Sequence, residues 1–185
     1  MRLNRKFFNR NTVKVAKELL GKILVRKIGN KIVKAKITET EAYCGMKDKA
    51  CHASRGLTKR TKVMFGPAGF SYVYMIYGMY HCLNIVTERE GNPSAALIRA
   101  AEILNPKSET LNKSKIKNLK LKGPGILCRE FKIDRKLNAM DLTKSNLLWI
   151  EDGENKIKTG QIKKGKRIGV DYAGKWKNKP WRFWL

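Results

Sequence analysis

The chain has 185 residues, with 41 lysine and arginine side chains against 15 acidic ones and a formal net charge of +26. This length forms one domain with a full hydrophobic core, and no run reaches the roughly 20 apolar residues that a membrane helix needs. Residues 1–100 hold 20 basic residues and residues 101–185 hold 21, so the charge is not a tail. Such a surface predicts a polyanionic partner, although solvated charge from a lysine-rich composition is an alternative.

The cysteine spacing argues against a zinc-binding protein, and the N-terminal residues argue against a secreted one. The four cysteines form no C-x-x-C pair and lie at no zinc-like spacing from the two histidines, so we predict free thiols and no metal. Residues 1–11 read as a basic arm without the apolar stretch of a signal peptide. We therefore expect a cytoplasmic protein in a reducing environment, with no membrane attachment.

The first predicted elements are a helix and a hairpin. Asn11 or Thr12 caps a short helix with one apolar face. Two alternating stretches, residues 23–28 and 31–43, flank Gly29-Asn30. This pattern predicts two antiparallel strands joined by a tight turn.

The second of these strands changes character along its length. Because side chains alternate between the two faces of a strand, every second residue lies on the same face. Here the residues of one face change from apolar to acidic along the strand. Because burying an unpaired carboxylate is expensive, a strand that turns from core to acid indicates a pocket. A strand that simply emerges into solvent near Glu39 fits the periodicity equally well. The residues of this face are Val33, Ala35, Ile37, Glu39, Glu41 and Tyr43.

A long loop and an aromatic hairpin follow. Residues 44–69 are rich in glycine and basic side chains, which suits phosphate contact, although an isolated loop histidine such as His52 is most simply an exposed residue. Aromatic and β-branched runs on both sides of Gly78 predict a hairpin with Tyr77 at or beside its tip. A large aromatic side chain there, in a chain this basic, predicts a wedge between nucleic-acid bases.

The second half of the chain is less regular. Arg99 interrupts a small apolar run, either as a residue that snorkels to solvent or as a buried charge with a carboxylate partner. Residues 105–122 are predicted to be a lysine-rich, mobile surface segment. A short helix at 126–131, a strand at 147–150 and strands around Gly160 and Gly165 follow. Residues 176–185 are predicted to pack back as a final strand.

Several familiar chemistries are absent from the sequence. There is no P-loop, no G-x-G-x-x-G, no H-E-x-x-H and no G-x-S-x-G motif. With two histidines in the chain, few candidates exist for the histidine of a Ser-His-Asp triad. The remaining set is the carboxylate of Glu41 with an arginine, tyrosines and an asparagine. It suits hydrolysis through an oxocarbenium-like sugar, in which a carboxylate activates water.

Several motifs follow one another along nearly the whole chain. They are Glu39–Tyr43 (E-T-E-A-Y), Cys51–Gly56, Tyr72–Tyr80 with Asn84, Leu97–Ala100, Gly123–Cys128, Arg167–Val170 and Lys179–Phe183. In this order they resemble the alkyladenine (3-methyladenine) DNA glycosylase family. The resemblance implies a single mixed α/β (α+β) domain over residues 1–185, around a curved, mainly antiparallel sheet with flanking helices and a protruding hairpin, and no cofactor or metal.

The resemblance implies a catalytic group and a base pocket. Glu41 would be the general base on the attacking water, which Arg99 and the backbone carbonyl of Ile168 would help to hold. Three aromatic side chains would enclose the flipped base, and a positively charged alkylated purine would stack as a cation on the two tyrosines. A fourth pocket residue would clash with the 2-amino group of guanine. These pocket residues are Tyr43, His52 and Tyr74, with Asn84 in the excluding position.

The resemblance also implies the DNA contacts and the reaction. Tyr77 would fill the gap left in the duplex, with Met79 and Tyr80 beside it in the minor groove. The expected protein is a monomeric, monofunctional enzyme. It excises alkylated or deaminated purines, of the 3-methyladenine and hypoxanthine type, from double-stranded DNA without Schiff-base chemistry. The alternative is a non-catalytic nucleic-acid-binding module, against which Glu41 and Arg99 together argue.

Overall fold

The computed structural model describes residues 1–104, 120–153 and 157–185. No helix in these ranges is both long and apolar enough to cross a membrane. The helices are α1 (Arg5–Phe8), α2 (Thr12–Glu18) and α3 (Pro124–Glu130). The strands are β1 (Ile23–Ile28), β2 (Lys31–Cys44), β3 (Ser71–Ile76), β4 (Tyr80–Thr87), β5 (Ser94–Ile103), β6 (Lys120–Lys122), β7 (Leu148–Glu151), β8 (Lys163–Gly165) and β9 (Arg182–Trp184).

The strands of the described ranges form one sheet in which the pairings are antiparallel. Its main path runs in the order β3-β4-β5-β2-β1-β7. Strand β6 extends β5, while β9 pairs with both β2 and β8. The predicted α+β fold class, with a mainly antiparallel sheet and flanking helices, is confirmed.

Strand β2 contains a bulge that exchanges its two faces. Its register against β5 shifts between Ile37 and Thr40. Val33 and Ile37 lie in the main core before the shift, and Ala42 lies there after it. Thr40 also faces this side, because its hydroxyl donates a 2.7 Å hydrogen bond to the backbone carbonyl of Ala16 in α2. The register shifts twice, past Thr38 in β2 and past Arg99 in β5, so each strand has one residue outside the pairing. Such a residue exchanges the faces of its strand, since side chains alternate with period two.

The bulge corrects the face predicted for this strand. Glu39, Glu41 and Tyr43 do not continue the apolar face of the preceding residues, as the unbroken periodicity predicts. They lie on the opposite face of the sheet, and Tyr43 packs against two smaller clusters instead of the main core. We call this second side the site face.

The main core lies between the sheet and the helices α2 and α3. Both helices pack against the sheet, α2 on β2 and β5, and α3 on β4 and β5. Val73, Leu83 and Ile98 contribute to this core from successive strands. The residues next to them in each strand point to the site face, which the loop after β2 covers. The sheet thus separates a helix-covered core from the site face.

The basic N-terminal residues pack against the rest of the domain. Asn4 caps α1 by accepting a hydrogen bond from the Phe7 N–H. Phe8 is buried in the main core. Arg5 forms an ion pair with Asp141 at 2.5 Å. The buried Phe8 side chain therefore holds this end of the chain against the rest of the protein.

Local elements of the second half differ in part from the predicted ones. The predicted mobile segment is wrong for residues 120–122, which form β6, while its residues 105–119 lie outside the described part of the chain. Gly160 lies in a 3₁₀ turn, and only β8 forms near Gly165. Trp176 lies in a 3₁₀ segment, so the final strand is shorter than predicted. Short strands of this kind depend on their partners more than on their own sequence.

Candidate active site

Strand pairing places several functional positions in one row across the sheet. Tyr72 pairs with Asn84, and Asn84 pairs with Leu97 on the next strand. Leu97 pairs with Glu41, which pairs on its other side with Arg182. Paired strands lie about 4.7–4.9 Å apart. The row therefore brings the acidic end of β2 and the aromatic strand β3 to the same part of the site face.

Glu41 is fully buried, and both of its carboxylate oxygens accept hydrogen bonds. Oε1 accepts one of 2.8 Å from the backbone N–H of Ile168, and Oε2 accepts one of 2.7 Å from the Tyr43 hydroxyl. Burial raises the pKa of Glu41, and the charge of Arg99 together with these hydrogen bonds opposes the rise. A carboxylate with a raised pKa is a candidate for a group that accepts a proton during a reaction.

Arg99 lies between two carboxylates. Its Nη1 is 3.5 Å from Oε2 of Glu41, and its Nε is 3.2 Å from Oε1 of Glu39. Arg182 reaches the same Glu39 oxygen from β9, also at 3.2 Å. The Arg99 side chain is only 13% exposed. Of the two alternatives that the sequence leaves open, the buried charge with carboxylate partners is the one observed.

Ile168 contacts the Glu41 carboxylate through its backbone N–H. The resemblance assigns its backbone carbonyl to the attacking water, whereas the group observed at Glu41 is its backbone N–H. This N–H helps to hold the carboxylate. The role of the carbonyl stays a prediction.

An aromatic pocket opens beside the carboxylate. It encloses about 240 Å³, its open mouth included. Tyr43 lines this pocket and also donates its hydroxyl hydrogen to Glu41, so the pocket and the carboxylate meet at Tyr43. The four residues predicted to surround a base all line it, and their contact with a base stays a prediction. The lining residues are Tyr43, Ala50, His52, Met64, Tyr72, Tyr74, Asn84 and Ala95.

One wall of the pocket is a cluster of three rings. Nδ1 of His52 lies 2.8 Å from the Tyr72 hydroxyl, and the ring centroid of Tyr74 lies 4.6 Å from that of His52. Burial lowers the pKa of His52 to about 4, with help from the charges of Arg60 and Arg55. His52 is therefore neutral near pH 7. A neutral imidazole offers one donor and one acceptor.

The Asn84 side chain lines the pocket and also forms a hydrogen bond to the neighbouring strand. It is 3% exposed and lines the pocket. Its Nδ2 also donates a 3.1 Å hydrogen bond to the backbone carbonyl of Tyr72 on the partner strand. The amide therefore braces the hairpin while it forms part of the wall. Exclusion of guanine by this side chain stays a prediction.

A fully buried ion pair supports the site from behind. Arg167 contacts the two oxygens of Asp48 at 2.5 and 2.9 Å, and neither side chain has solvent exposure. Arg167 also donates to the backbone carbonyl of Ala42 and lies over the ring of Tyr43, 4.9 Å from its centroid. The pair thus ties the loop after β2 to the residues that precede Ile168.

The central hairpin has the predicted form. Tyr77 and Gly78 take left-handed backbone angles, with φ of 51° and 70°, at the turn between β3 and β4. This is the arrangement of a type I′ turn. The Tyr77 side chain is 86% exposed, and Met79 and Tyr80 follow it with 68% and 36% exposure. The tip position of Tyr77 is confirmed, and its role as a wedge stays a prediction.

Sequence reasoning missed three kinds of site residue. Tyr72 has a usable signal, because it lies two residues before Tyr74 and period two puts both on one face. Arg60 and Arg182 are single basic residues in a chain full of them, so their contacts have no signal. The pairing of Asp48 with a distant arginine has none either, because it depends on the packing of two loops.

The fold and site together define a class of enzyme. A buried carboxylate held by an arginine lies next to an aromatic pocket, and an exposed aromatic hairpin tip extends from the same strongly basic domain. This combination is that of a DNA N-glycosylase, which hydrolyses the bond between a base and its sugar. A family model described as methylpurine-DNA glycosylase (MPG) matches residues 6–185. The chain belongs to this family.

Several full-length relatives agree with the family. A protein of Desulfitobacterium hafniense (strain Y51) is 47% identical over 196 residues, which cover 100% of this chain and 95% of the relative. A protein of Methanocella arvoryzae is 49% identical and covers 98% and 91% of the two chains. One of Legionella pneumophila (strain Corby) is 50% identical and covers 100% and 94%. The names of all three include 3-methyladenine DNA glycosylase.

Proposed function

We propose that this protein excises alkylated or deaminated purines, of the 3-methyladenine and hypoxanthine type, from double-stranded DNA and leaves an abasic site. The observation that carries the proposal is the junction at Tyr43. This residue lines the aromatic pocket and donates a hydrogen bond to Glu41, whose pKa is raised by burial. A base in the pocket would therefore lie beside a group suited to accept a proton.

Base flipping brings the substrate to this pocket. A base inside a duplex exposes no route to its glycosidic carbon, so the nucleotide is extruded, which costs about a few kcal/mol. Tyr77, exposed at the hairpin tip, fills the vacated position. Stacking there offsets roughly 1–3 kcal/mol of the cost, by analogy with single-strand binders. Damaged bases that pair badly cost less to flip, which gives selectivity before any pocket contact.

The chemical step uses Glu41 as a general base. As the water oxygen forms a bond to the sugar carbon C1′, one water proton passes to the Glu41 carboxylate. The bond between C1′ and the base nitrogen breaks, and its electron pair leaves with the base through an oxocarbenium-like transition state. Arg99 orients the carboxylate, and the carbonyl of Ile168 completes the water position. Because water is the nucleophile, no Schiff base forms and no lyase step follows.

The pocket selects the base by stacking and by exclusion. The rings of Tyr43 and Tyr74 stack on the purine, while the neutral imidazole of His52 hydrogen-bonds its edge. Asn84 occupies the space that a guanine 2-amino group would need. A wall of this kind discriminates by clash and adds no affinity for the correct base.

The proposal includes the setting in which the enzyme works. We propose a monomer in the cytoplasm that acts without a cofactor. The four cysteines, all in the described part of the chain, are free thiols, in line with a reducing compartment. Met79 and Tyr80 accompany Tyr77 in the minor groove.

The test is the release of free base by Glu41→Gln under single-turnover conditions. We expect excision of hypoxanthine to fall by roughly 10²–10⁴-fold, while binding to the same duplex stays near the wild-type value. Glu102→Gln is the matched control, since Glu102 lies on β5 in an ion pair with Lys36. Unchanged excision by Glu41→Gln, with Glu39→Gln silencing the reaction instead, would move the general base to Glu39. A wild-type protein that binds but releases no base would be a non-catalytic module.

A further inference from the structure

Two of the three tyrosines that line the pocket, Tyr43 and Tyr74, have a guanidinium over their rings. The Cζ atom of Arg60 lies 4.9 Å from the ring centroid of Tyr74, and that of Arg167 lies 4.9 Å from the ring centroid of Tyr43. Both tyrosines line the pocket, whereas neither arginine does. The two cations therefore lie behind the walls, outside the space that a base would occupy.

The two arginines differ in how their charge is balanced. Arg167 forms a fully buried ion pair with Asp48, which compensates its charge. Arg60 is exposed and has no carboxylate partner within residues 1–104, 120–153 and 157–185. It lines a groove that also contains Lys59 and Arg135. These groove neighbours carry the same sign of charge, so they do not compensate the charge of Arg60.

This charge acts on whatever stacks on the other face of Tyr74. An aromatic ring attracts a cation through the negative potential of its face. A guanidinium on one face already uses that potential, and two positive charges on opposite sides of one ring repel each other. We infer that Arg60 is a specificity-determining residue, which weakens the pocket's preference for positively charged alkylated bases relative to neutral purines. This inference rests on the proposed function, because it concerns the base that enters the pocket.

The surroundings of His52 agree with a positive field in this wall. The ring centroid of His52 lies 4.6 Å from that of Tyr74. The pKa of His52 is lowered to about 4, and the charge of Arg60 is the largest cause after burial. The field that opposes a proton on His52 also opposes a cationic base stacked on Tyr74.

Two lesions of different charge test the inference. A deoxyadenosine methylated at N3 is positively charged, whereas a deoxyinosine, which carries hypoxanthine, is neutral. Each is placed at the same position of one duplex sequence, and release of the base is measured at limiting and at saturating enzyme in single turnovers. We expect Arg60→Gln to raise the ratio of the 3-methyladenine rate to the hypoxanthine rate roughly two- to fivefold.

Two control variants separate the charge on Tyr74 from charge in general. Arg60→Lys keeps the charge, and Lys59→Gln removes a neighbouring charge that does not lie over the Tyr74 ring. Both should leave the ratio near the wild-type value. An unchanged ratio in Arg60→Gln, or an equal rise in Lys59→Gln, would overturn the inference. An equal fall of both rates with a weaker salt dependence of binding would identify Arg60 as a phosphate contact and would overturn it too.

Failure of the proposed function gives a different result. In that case the wild-type protein releases neither base. The ratio is then taken from the equilibrium dissociation constants of the same two duplexes, because a charge behind Tyr74 acts on binding as well as on rate. The same shift in Arg60→Gln is expected, and its absence would overturn the inference on its own.

Discussion

Glu41 illustrates, at the residue scale, how the protein keeps a carboxylate in its interior. An isolated buried charge costs several kcal/mol and tends to take up a proton. Here a backbone N–H, a tyrosine hydroxyl and the guanidinium of Arg99 surround the two oxygens. These groups offset only part of the effect of burial, so the pKa stays raised. A carboxylate with a raised pKa is suited to accept a proton from a water molecule.

The raised pKa predicts the acid side of the pH–rate profile. A general base acts only as a carboxylate, so if Glu41 has this proposed role, base release should fall as the pH decreases through a window above the ordinary range of an exposed glutamate. Tyr43→Phe removes a hydrogen bond that lowers this pKa, and the acid limb should move to higher pH. The measurement is the single-turnover rate of hypoxanthine release against pH for both proteins. A limb at the same pH in both would show that another group titrates.

Asn84→Ala should widen the substrate range toward guanine. Guanine differs from hypoxanthine by one exocyclic amino group, and the shortened side chain would leave room for it. The measurement is the single-turnover rate on hypoxanthine and on mismatched guanine, and we expect the guanine-to-hypoxanthine ratio to rise. The shortened side chain also loses the hydrogen bond to the Tyr72 carbonyl, so a general loss of rate has to be separated from selectivity.

Asn138→Ala is the matched control for that experiment. Its Oδ1 accepts a 2.9 Å hydrogen bond from the Val73 N–H, so Asn138 braces the same strand from outside the pocket. We expect this variant to change both rates by the same factor. If Asn84→Ala also lowers both rates together, the amide of Asn84 only supports the hairpin and does not select the base.

At the scale of elements, the bulge in β2 determines on which face of the sheet Glu41, the predicted general base, lies. Before the bulge, odd-numbered residues such as Ile37 face the core; after it, even-numbered residues such as Thr40 do. Without the extra residue, Glu41 would lie among apolar side chains under α2. With it, Glu41 lies in the same row as Asn84 and Tyr72. Bulges recur next to active sites because they re-aim a side chain in this way.

We predict that the central hairpin presents Tyr77 to the DNA and that loss of the Tyr77 side chain affects damaged duplex most. Tyr77→Ala should weaken capture of a flipped lesion more than binding to undamaged duplex, since only the flipped state leaves a gap to fill. Stacking contributes roughly 1–3 kcal/mol in related settings. The measurement is the dissociation constant of a hypoxanthine duplex and of the same duplex undamaged.

Ile32→Ala is the control for the tip residue. Ile32 is also an exposed apolar side chain on a hairpin, 46% exposed, but it lies beside the turn that joins β1 to β2. It should leave both dissociation constants unchanged. Equal losses on damaged and undamaged duplex in Tyr77→Ala would make that residue an ordinary groove contact.

At the scale of the whole molecule, the charge of +26 determines how the protein meets DNA. Neutralising phosphates releases condensed counterions, so binding to undamaged duplex should weaken steeply with salt. The slope of log K against log salt should be roughly −0.9 for each phosphate contacted. The measurement is the dissociation constant at several salt concentrations. A flat dependence would mean that most of the charge lies away from the DNA.

Charge-removing variants locate the contacting part of the surface. Arg135→Gln, in the groove beside the hairpin, should make the slope shallower by roughly one unit if it contacts a phosphate. Lys27→Gln removes an exposed charge from β1, near the turn of the first hairpin, and should leave the slope unchanged. The opposite pattern would place the DNA on the other hairpin.

Features that depend on residues close together in the chain could be predicted from the sequence. Both hairpins, a helix cap at Asn11 or Thr12 and the exposed tip at Tyr77 follow from local residue patterns over a short span, and the structure places the cap at Asn11. The order of the motifs was enough to identify the family, because many weak local matches add up along the chain. The turn at Gly78 needed no distant partner, since a glycine takes a left-handed backbone at no steric cost.

Contacts between groups that are distant in the chain could not be predicted from the sequence, because they depend on how the strands and loops pack. The face of Glu41 depends on paired irregularities in β2 and β5, and the partner of Arg99 depends on that face. The buried pair of Arg167 and Asp48 joins two loops that are far apart in sequence. The charge of Arg60 lies behind the pocket for the same kind of reason. Alternation gives the period of a strand but not its register, and register is set by packing against neighbouring strands.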